Sequence, residues 1–386
     1  MGAGETHPGG HYYFRFKMKI LHLISSGGLF GAENVLLTLA QSMNNERDVS
    51  VVGVIRDFHM KEIAVLEKAK ELHLPTFILE SDGRFDFGAV GRLASYLRKN
   101  SIDVLHTHNY KANMLGLIAC KIAHKPIMAT AHGYTDATQA VSIYEKIDRF
   151  VLKRFFPAVV VVSNSVLVGL SDKKKHVIPN GINIKAFVRN RDKGAGVRQQ
   201  CGIRENEIVI GTVGRLSKEK NQMMLIDAFK ELAPKYSQLK LMIVGCGPEE
   251  RKLKLMAESY RLKDRIIFPG FIADMPPVYQ AMDIFVLTSE TEGIPLTILE
   301  AMASWVPVIS TRVGGVPKLI EHEKTGILIE KNNLRVLIAK LTDFVENHAK
   351  FKMFAENAFV YVQQNFSSEK MVEQYRKVYQ SVVGMK

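Results

Sequence analysis

The sequence predicts an α/β protein with two Rossmann-like domains, each built on a parallel sheet. Short apolar runs of strand length alternate with segments of helical periodicity along most of the chain, as in repeated strand–helix–strand units with right-handed crossovers. Several runs are followed by glycine-rich turns or histidines, at the edge where an open parallel sheet holds its ligands. The 386 residues are enough for two domains with full cores.

The apolar runs place the strands, and helices are expected between them. Between the two halves, residues 186–206 lose apolar periodicity and gather charge and glycine, as a linker does. The predicted domains therefore cover 18–185 and 207–365, followed by a terminal helix within 366–386. The predicted strands are 19–25, 49–55, 75–79, 103–106, 126–131 and 158–162 in the first domain, and 208–213, 240–244, 265–268, 283–288, 306–310 and 326–329 in the second.

The first 17 residues show no periodicity and no secretory hydrophobic segment. We interpret residues 1–17 as a tag or a disordered extension and leave them out of the fold.

Positive charge is concentrated in the first half of a chain whose formal net charge is +13. Residues 1–205 hold 28 Lys and Arg against 18 Asp and Glu, whereas residues 206–386 hold 24 against 21. A basic face there suits an anionic membrane or a phosphorylated acceptor, and an ordinary solvated surface fits it equally well. Nucleic acid is not expected as a partner, because no recognised binding motif accompanies the charge.

The sequence offers neither a membrane span nor a disulfide pattern. No apolar run approaches the roughly 18 residues that a spanning helix needs. Cys120, Cys201 and Cys246 show no paired or metal-like spacing. We expect buried thiols in a reducing compartment, and hence a cytoplasmic protein, with peripheral contact at the inner face of the membrane as an open alternative.

The stretch from Asp283 to Leu319 has the features of a ligand site. A strand-like run leads through a turn into a helix, and Pro295 fits the first helical position, so the free amides of the first turn favour a phosphate. Glu292 lies in the turn and Glu300 on the second turn of the helix. Acids beside an anion site are favourable when they accept hydrogen bonds from hydroxyls, as Rossmann acids do from a ribose. Phosphate and several hydroxyls together describe a nucleotide sugar.

This stretch resembles the donor-binding motif of the retaining glycosyltransferases of family 4, in which two glutamates separated by seven residues precede a Gly-Gly loop, here Gly314-Gly315. The resemblance runs from Met18 to the end of the chain. It implies the GT-B fold, two Rossmann-like domains facing each other across a cleft, with the donor in the C-terminal domain and the acceptor on the N-terminal one. It also implies sugar transfer from a nucleoside diphosphate sugar, UDP- or GDP-linked, to a glycan, lipid-linked or small-molecule acceptor with retention. A nucleotide-sugar epimerase of the same fold and a non-catalytic nucleotide-sugar sensor stay open as alternatives.

The resemblance also implies the site residues. Arg215 and Lys220, after a glycine loop, would hold the diphosphate and stabilise its charge as it leaves, so neither a metal nor another cofactor is expected. His132 would face the donor sugar, and His108 and Asn109 would lie on the acceptor side. The catalytic set is His132, Glu292, Arg215 and Lys220; the donor-binding set is Gly27, Gly28, Arg215, Lys220, Phe271, Ile272, Glu292, Gly293, Ile294, Pro295, Leu296 and Glu300.

Several features bear on the chain path and on mechanism. Trp305 stands where the family usually has a glycine suited to a left-handed helix end, so we expect backbone strain or a different turn there. The segment 138–157 predicts a helix with Tyr144, Ile147, Val151 and Phe155 on one face and basic residues elsewhere, either docked on its own domain or lying on a membrane. An amphipathic helix at 367–383 is expected to return to the first domain.

No carboxylate stands where a double displacement needs a nucleophile, which favours front-side attack by the acceptor.

Overall fold

The computed structural model describes residues 17–26, 28–29, 31–44, 48–57, 63–83, 86–132, 139–163, 166–167, 169–187 and 191–384. By its internal contacts the chain divides into two compact units. Unit 1 comprises residues 1–130, 136–159 and 378–386, and unit 2 comprises residues 131–135 and 160–377.

The first sheet is parallel and has the strand order β3-β2-β1-β4-β5-β6-β7. The order reverses between β1 and β4, which pair directly, with His22 opposite His106. Such a reversal opens a crevice at the carboxyl ends of the strands, where ligands of open α/β sheets bind. The elements are β1 (Met18–Ile24), α1 (Gly31–Met43), β2 (Asp48–Arg56), α2 (Ala64–Glu71), β3 (Thr76–Glu80), α3 (Phe87–Lys99), β4 (Val104–Thr107), α4 (Tyr110–Ala123), β5 (Ile127–Ala131), α5 (Gln139–Phe155), β6 (Val159–Val161) and β7 (Lys175–Val177).

The second sheet is also parallel and has the order β10-β9-β8-β11-β12-β13, with its reversal between β8 and β11. Its strands are buried aliphatic runs, as expected for a sheet covered by helices on both faces. The elements are α6 (Arg191–Gln200), β8 (Ile208–Val213), α7 (Gln222–Leu232), β9 (Leu239–Val244), α8 (Glu250–Ser259), β10 (Ile266–Gly270), α9 (Met275–Gln280), β11 (Ile284–Leu287), α10 (Leu296–Ala303), β12 (Val308–Thr311), β13 (Ile327–Ile329), α11 (Leu334–Glu346), α12 (His348–Asn365) and α13 (Ser368–Gly384).

The two parallel sheets confirm the predicted fold class, and every predicted strand has a counterpart within two residues at each end. The sequence analysis missed β7, because its three residues are only partly buried and show no apolar run. The change of sheet falls within 178–207, which includes the predicted linker. That linker holds a helix, α6, whose Val197 packs against the core of unit 2 together with Cys201. The expectation of buried thiols is confirmed for Cys120 and wrong for the others, because Cys201 is half-buried and Cys246 is exposed.

Trp305 follows α10 in the left-handed conformation, with φ of 60°. A residue with a Cβ pays about 1–2 kcal/mol for this backbone geometry. The chain thus keeps the left-handed helix end that glycine would adopt freely, as expected from the sequence. The indole ring stacks on Phe359, with centroids 4.5 Å apart, and this contact offsets part of the cost.

The last helix begins in unit 2 and ends in unit 1. Its buried stripe contains Met371, Tyr375, Val378 and Val382. At its start, the chain end before α13 packs on the turn after β7: a Cβ on Gly181 would lie 2.7 Å from the carbonyl oxygen of Ser367. Only glycine fits that approach.

Substitution of Phe285 tests how much the core contributes to the stability of unit 2. The Phe285 ring, on β11, is fully buried and meets Tyr279 edge-on at 5.8 Å. Phe285→Ala should cost about 3–5 kcal/mol through lost transfer energy and a cavity. Phe87→Ala is the matched control, because Phe87 is 81% exposed, and it should stay within about 0.5 kcal/mol. Denaturant and thermal unfolding measure both variants, and equal losses would contradict this assignment of the core.

Candidate active site

The loop after β8 carries Arg215 and Lys220, and glycines set its path. Gly245, at the end of β9, has φ of 131°, and a Cβ on it would lie 2.0 Å from the carbonyl oxygen of Gly214. Leu216 N donates to the Cys246 carbonyl at 3.0 Å, which ties the two loops together. This close backbone approach leaves the Arg215 side chain exposed at the carboxyl edge of the sheet.

Glu292 and Lys220 form an ion pair of 2.6 Å between Nζ and Oε1. Their side chains are only 8% and 23% exposed, respectively, so solvent screens the pair weakly. Ser289 Oγ donates to the same carboxylate oxygen at 2.6 Å. The structure therefore brings a predicted cation and a predicted acid into contact, and it adds Ser289. Sequence reasoning missed that serine, although it is the second residue after β11, at the edge where the site was expected.

The Gly-Gly loop holds the backbone of the acidic turn. A Cβ on Gly314 would lie 1.7 Å from the Glu292 carbonyl oxygen, and one on Gly315 would lie 2.2 Å from that of Gly293. Gly315 N donates to the Gly293 carbonyl at 2.8 Å. Both positions therefore require glycine, because the loop packs against the backbone of the turn and a side chain at either position would displace Glu292.

The start of α10 differs by one residue from the prediction. The helix begins at Leu296, and Pro295 is its N-cap, with φ of −71° and ψ of 119°. The prediction that Pro295 is the first helical residue is therefore wrong. No side chain caps the helix. Its first amides keep their donors for a ligand, and Gly293, just before them, is exposed. Ile294 is buried and Leu296 half-buried; both pack with the core of unit 2.

Glu300 accepts a hydrogen bond from the Tyr279 hydroxyl at 2.7 Å. Burial raises the pKa of the Glu300 carboxyl, and the hydrogen bond from Tyr279 partly opposes that rise. Glu300, the residue predicted to bind the ribose, thus already accepts a hydrogen bond from a phenol hydroxyl. Tyr279 lies 21 residues before Glu300 on another helix, and nothing in the spacing of the sequence could have paired them.

Phe271 and Ile272 follow β10 at the same edge of the sheet. The Phe271 ring is 59% exposed, whereas Ile272 packs against the core. An exposed aromatic ring next to a nucleotide site offers a surface for stacking.

In unit 1 the predicted residues lie around the carboxyl ends of β1 and β4. Gly27 lies outside the described residues; Gly28 is half-buried, and its amide donates to Ser26 Oγ at 3.3 Å. Asn109 caps α4 by accepting from Ala112 N and donates to the Ser25 carbonyl at 2.8 Å. Its amide therefore fixes the loop after β1, a structural task that the sequence did not predict for it.

His108 belongs to a buried group of three imidazoles with His22 and His106. Nδ1 of His22 lies 3.3 Å from Nε2 of His108, and one nitrogen of each residue lies within 4.8 Å of the others. Burial lowers the pKa of His22 to about 3, so this ring is neutral. Both nitrogens of His106 already bond, to the hydroxyls of Tyr379 and Thr130 at 2.8 and 2.7 Å. A metal ion would have to displace one of these bonds, and the expectation of a metal-free enzyme stays a prediction.

His132 directly follows β5 and is half-buried. Burial lowers the pKa of its imidazole to about 4, so the ring is neutral at physiological pH. A neutral imidazole can donate or accept a hydrogen bond with a sugar hydroxyl, and it adds no charge to the site.

Two family models match the chain: Glycosyltransferase Family 4 over residues 31–186, and Glycosyl transferases group 1 over residues 196–360. A UDP-Gal:alpha-D-GlcNAc-diphosphoundecaprenol alpha-1,3-galactosyltransferase of Escherichia coli is 26% identical over 385 residues, 95% of this chain and 98% of that protein. An N-acetyl-alpha-D-glucosaminyl L-malate synthase of Bacillus anthracis is 27% identical over 78% of this chain and 80% of its own length. The crystal structure of Anabaena HepE in complex with UDP-glucose superposes with a TM-score of 0.82 at 26% identity, covering 94% of this chain and 100% of that one.

Two parallel sheets, with a cation, two acids and an uncapped helix at the carboxyl edge of the second, define a glycosyltransferase of the GT-B fold. The chain belongs to the retaining glycosyltransferases of family 4. It moves a sugar from a nucleoside diphosphate sugar to an acceptor with retention of the anomeric configuration. The epimerase and sensor alternatives lose their basis, because both matching families are transferases.

Glu300 makes the stability of the ligand-free protein depend on pH. The folded-state pKa lies above the unfolded one, so the ionised carboxyl opposes folding. That cost is absent below the unfolded pKa of about 4.3, grows as pH rises from there to the folded pKa, and is constant above it. Glu300→Gln removes the cost. Its melting temperature should match the wild type near pH 4 and exceed it at pH 7.5.

The control is Glu231→Gln, on an exposed position of α7, which should change stability by less than about 0.5 kcal/mol at either pH. Thermal unfolding at the two pH values decides the question. A Glu300→Gln protein less stable than wild type at pH 7.5 would contradict the assignment.

Proposed function

We propose that this glycosyltransferase takes a hexosyl unit from a UDP-sugar and adds it to a lipid-linked acceptor at an anionic membrane surface. The observation that carries this proposal is an apolar and basic face on unit 1. The E. coli relative acts on a diphosphoundecaprenol-linked sugar, and the HepE structures hold UDP and UDP-glucose, which supports both halves of the proposal. No helix in the described part of the chain is long and apolar enough to cross a membrane, so membrane contact would be peripheral.

The face lies on the adjacent helices α4 and α5, and we call it the α4–α5 face. Exposed apolar residues stand on both helices, and Phe150 is the most exposed at 62%. Lys121 and Arg154 lie over the Phe155 ring, each 5.3 Å from its centroid. Rings at the surface among cations suit the boundary between headgroups and acyl chains. The exposed apolar members are Tyr110, Ile118, Ile122, Ile147, Phe150 and Phe155.

The sequence analysis had placed Val151 on one face with Ile147 and Phe155, and the structure corrects this. Val151 and Leu152 are buried, together with Asp148, whose carboxylate accepts from Asn113 Nδ2 at 2.6 Å. The inner face of α5 therefore has its own core contacts, and its outer apolar residues remain uncovered among the described residues. The helix is therefore docked on its own domain, and membrane contact stays a proposal that its exposed apolar residues support.

The proposed chemistry uses the groups of unit 2. Arg215, Lys220 and the free amides of α10 would bind the diphosphate and gain strength as negative charge develops on it. Glu292 would then leave Lys220 and accept from hydroxyls of the sugar, with Ser289 keeping its position. Glu300 would accept from the ribose. The acceptor hydroxyl attacks from the face of the leaving group, whose phosphate oxygen takes the proton. Two fixed cations replace the metal ion in this scheme, and no other cofactor is required.

Arg215→Ala and Lys220→Ala test the cation pair. Each should lower kcat/KM by an amount that corresponds to about 2–4 kcal/mol of activation free energy, because each removes a contact that strengthens in the transition state. Lys235→Ala, an exposed lysine in unit 2, is the control and should leave turnover unchanged. Radiolabelled UDP-hexoses with a lipid extract measure transfer. Full turnover in either folded variant would remove that cation from the mechanism.

Vesicle sedimentation tests the α4–α5 face. Phe150→Ala should weaken binding to vesicles with anionic lipid, whereas Phe87→Ala, which removes an even more exposed ring elsewhere in unit 1, should not. Lys153→Gln with Arg154→Gln should also weaken binding, and the exposed pair Lys235→Gln with Lys252→Gln should not. Binding should fall as salt rises, because exposed charges are screened. Absence of wild-type binding at low salt would favour an acceptor that is not in a membrane.

A further inference from the structure

A cavity of about 680 Å³ opens on unit 2 at the amino ends of β11 and β12. The donor groups follow the carboxyl ends of these strands, so the cavity lies at the opposite edge of the sheet. Its volume is in the range of small-molecule sites. Its lining includes Arg198 on α6, Gln280 on α9, Asp283 before β11, and Ser304 and Trp305 after α10.

Trp305 gives this cavity an aromatic wall. It is the only tryptophan in the chain, and its backbone holds the left-handed conformation that glycine adopts without strain. Strained non-glycine residues persist where the surroundings fix them, and they are frequent at binding sites. Phe359 stacks on the indole and fixes its plane. The ring is therefore a rigid wall, positioned before any ligand arrives.

Asp283 supplies the accessible polar group of the cavity. Its side chain is 38% exposed, and its Oδ2 accepts from Arg198 Nη2 and from Val209 N. Its other carboxylate oxygen can accept a hydrogen bond from a ligand hydroxyl. Ser304 is 3% exposed and its Oγ is buried, so this hydroxyl does not face the cavity.

The charges of the lining narrow the class of ligand. Arg198 pairs with Asp283, Nη2 to Oδ2, at 2.6 Å, and Glu205 adds an exposed carboxylate. The described lining side chains thus have a net negative charge, which disfavours phosphates and nucleotides. A neutral ligand with an apolar face for the indole and several hydroxyls at its edge matches this set. A pyranose ring has both features.

We propose that this cavity is a second carbohydrate site, which binds a neutral glycan by stacking a sugar ring on Trp305 and hydrogen bonding it to Asp283. The choice of a glycan uses the family of the chain but does not depend on the lipid acceptor proposed above. A glycan held there lies away from the donor, so the site would retain a saccharide chain near the enzyme and increase its effective concentration.

The single tryptophan makes the test direct. Titration of wild-type protein with maltose, lactose and N,N′-diacetylchitobiose should give a saturable change of tryptophan emission with at least one disaccharide and none with glycerol. Saturating UDP should leave that affinity unchanged, because UDP would bind at the other edge of the sheet. No saturable response to any of the three, or the same response to glycerol, would overturn the proposal.

Variants connect the response to the cavity. Trp305→Gly, which suits the left-handed backbone, should abolish binding by calorimetry, and Phe87→Ala should bind as wild type. Undiminished calorimetric binding by Trp305→Gly would refute the site. Sugar transfer in these variants is measured separately, so loss of the second site and loss of catalysis are distinguishable.

Discussion

The contact between Lys220 and Glu292 is the constraint on which the donor site depends. The proposed mechanism uses no metal ion, so it needs a cation for the diphosphate and an acid for the sugar at one helix start. In the ligand-free protein Lys220 and Glu292 are each other's partner, and Ser289 donates to the carboxylate. In that proposal, a ligand with both a phosphate and hydroxyls replaces the partner of each weakly exposed charge.

Glycines make that contact possible by allowing loops to touch through their backbones. Gly245 lets the loop after β8 reach its position, and Gly314 does the same for the turn that carries Glu292. Each loop also has one buried core side chain, Leu216 in the first and Ile294 in the second. Backbone contacts and these anchors together leave the charged side chains at the edge of the sheet. Glycine, the most flexible residue type, thus stands in closely packed loops here, because the short backbone contacts leave no space for a Cβ.

Much of this could be predicted from the sequence. All strands except β7 follow from apolar runs, since burial on both faces requires them, and Glu292, Glu300 and the Gly-Gly loop follow from one motif. Residues paired over a long sequence separation could not be predicted. Tyr279 reaches Glu300 from another helix, and His22 meets His108 only because β1 and β4 are neighbours in the sheet. The face of α5 was misjudged for a similar reason: helical periodicity shows a stripe of apolar residues but does not show which part of it α4 covers.

Helix α13 determines when the protein can finish folding. Unit 1 is not a continuous stretch of chain, because residues 378–386 belong to it and Tyr379 bonds His106 in its core. During synthesis, the strands of the first sheet are made well before residues 378–386, so unit 1 must wait for these residues before its last core side chains arrive. Domains that fold as contiguous units escape this delay. A nascent chain truncated before α13 therefore lacks the Tyr379 side chain that bonds His106, although the strands of the sheet were synthesised hundreds of residues earlier.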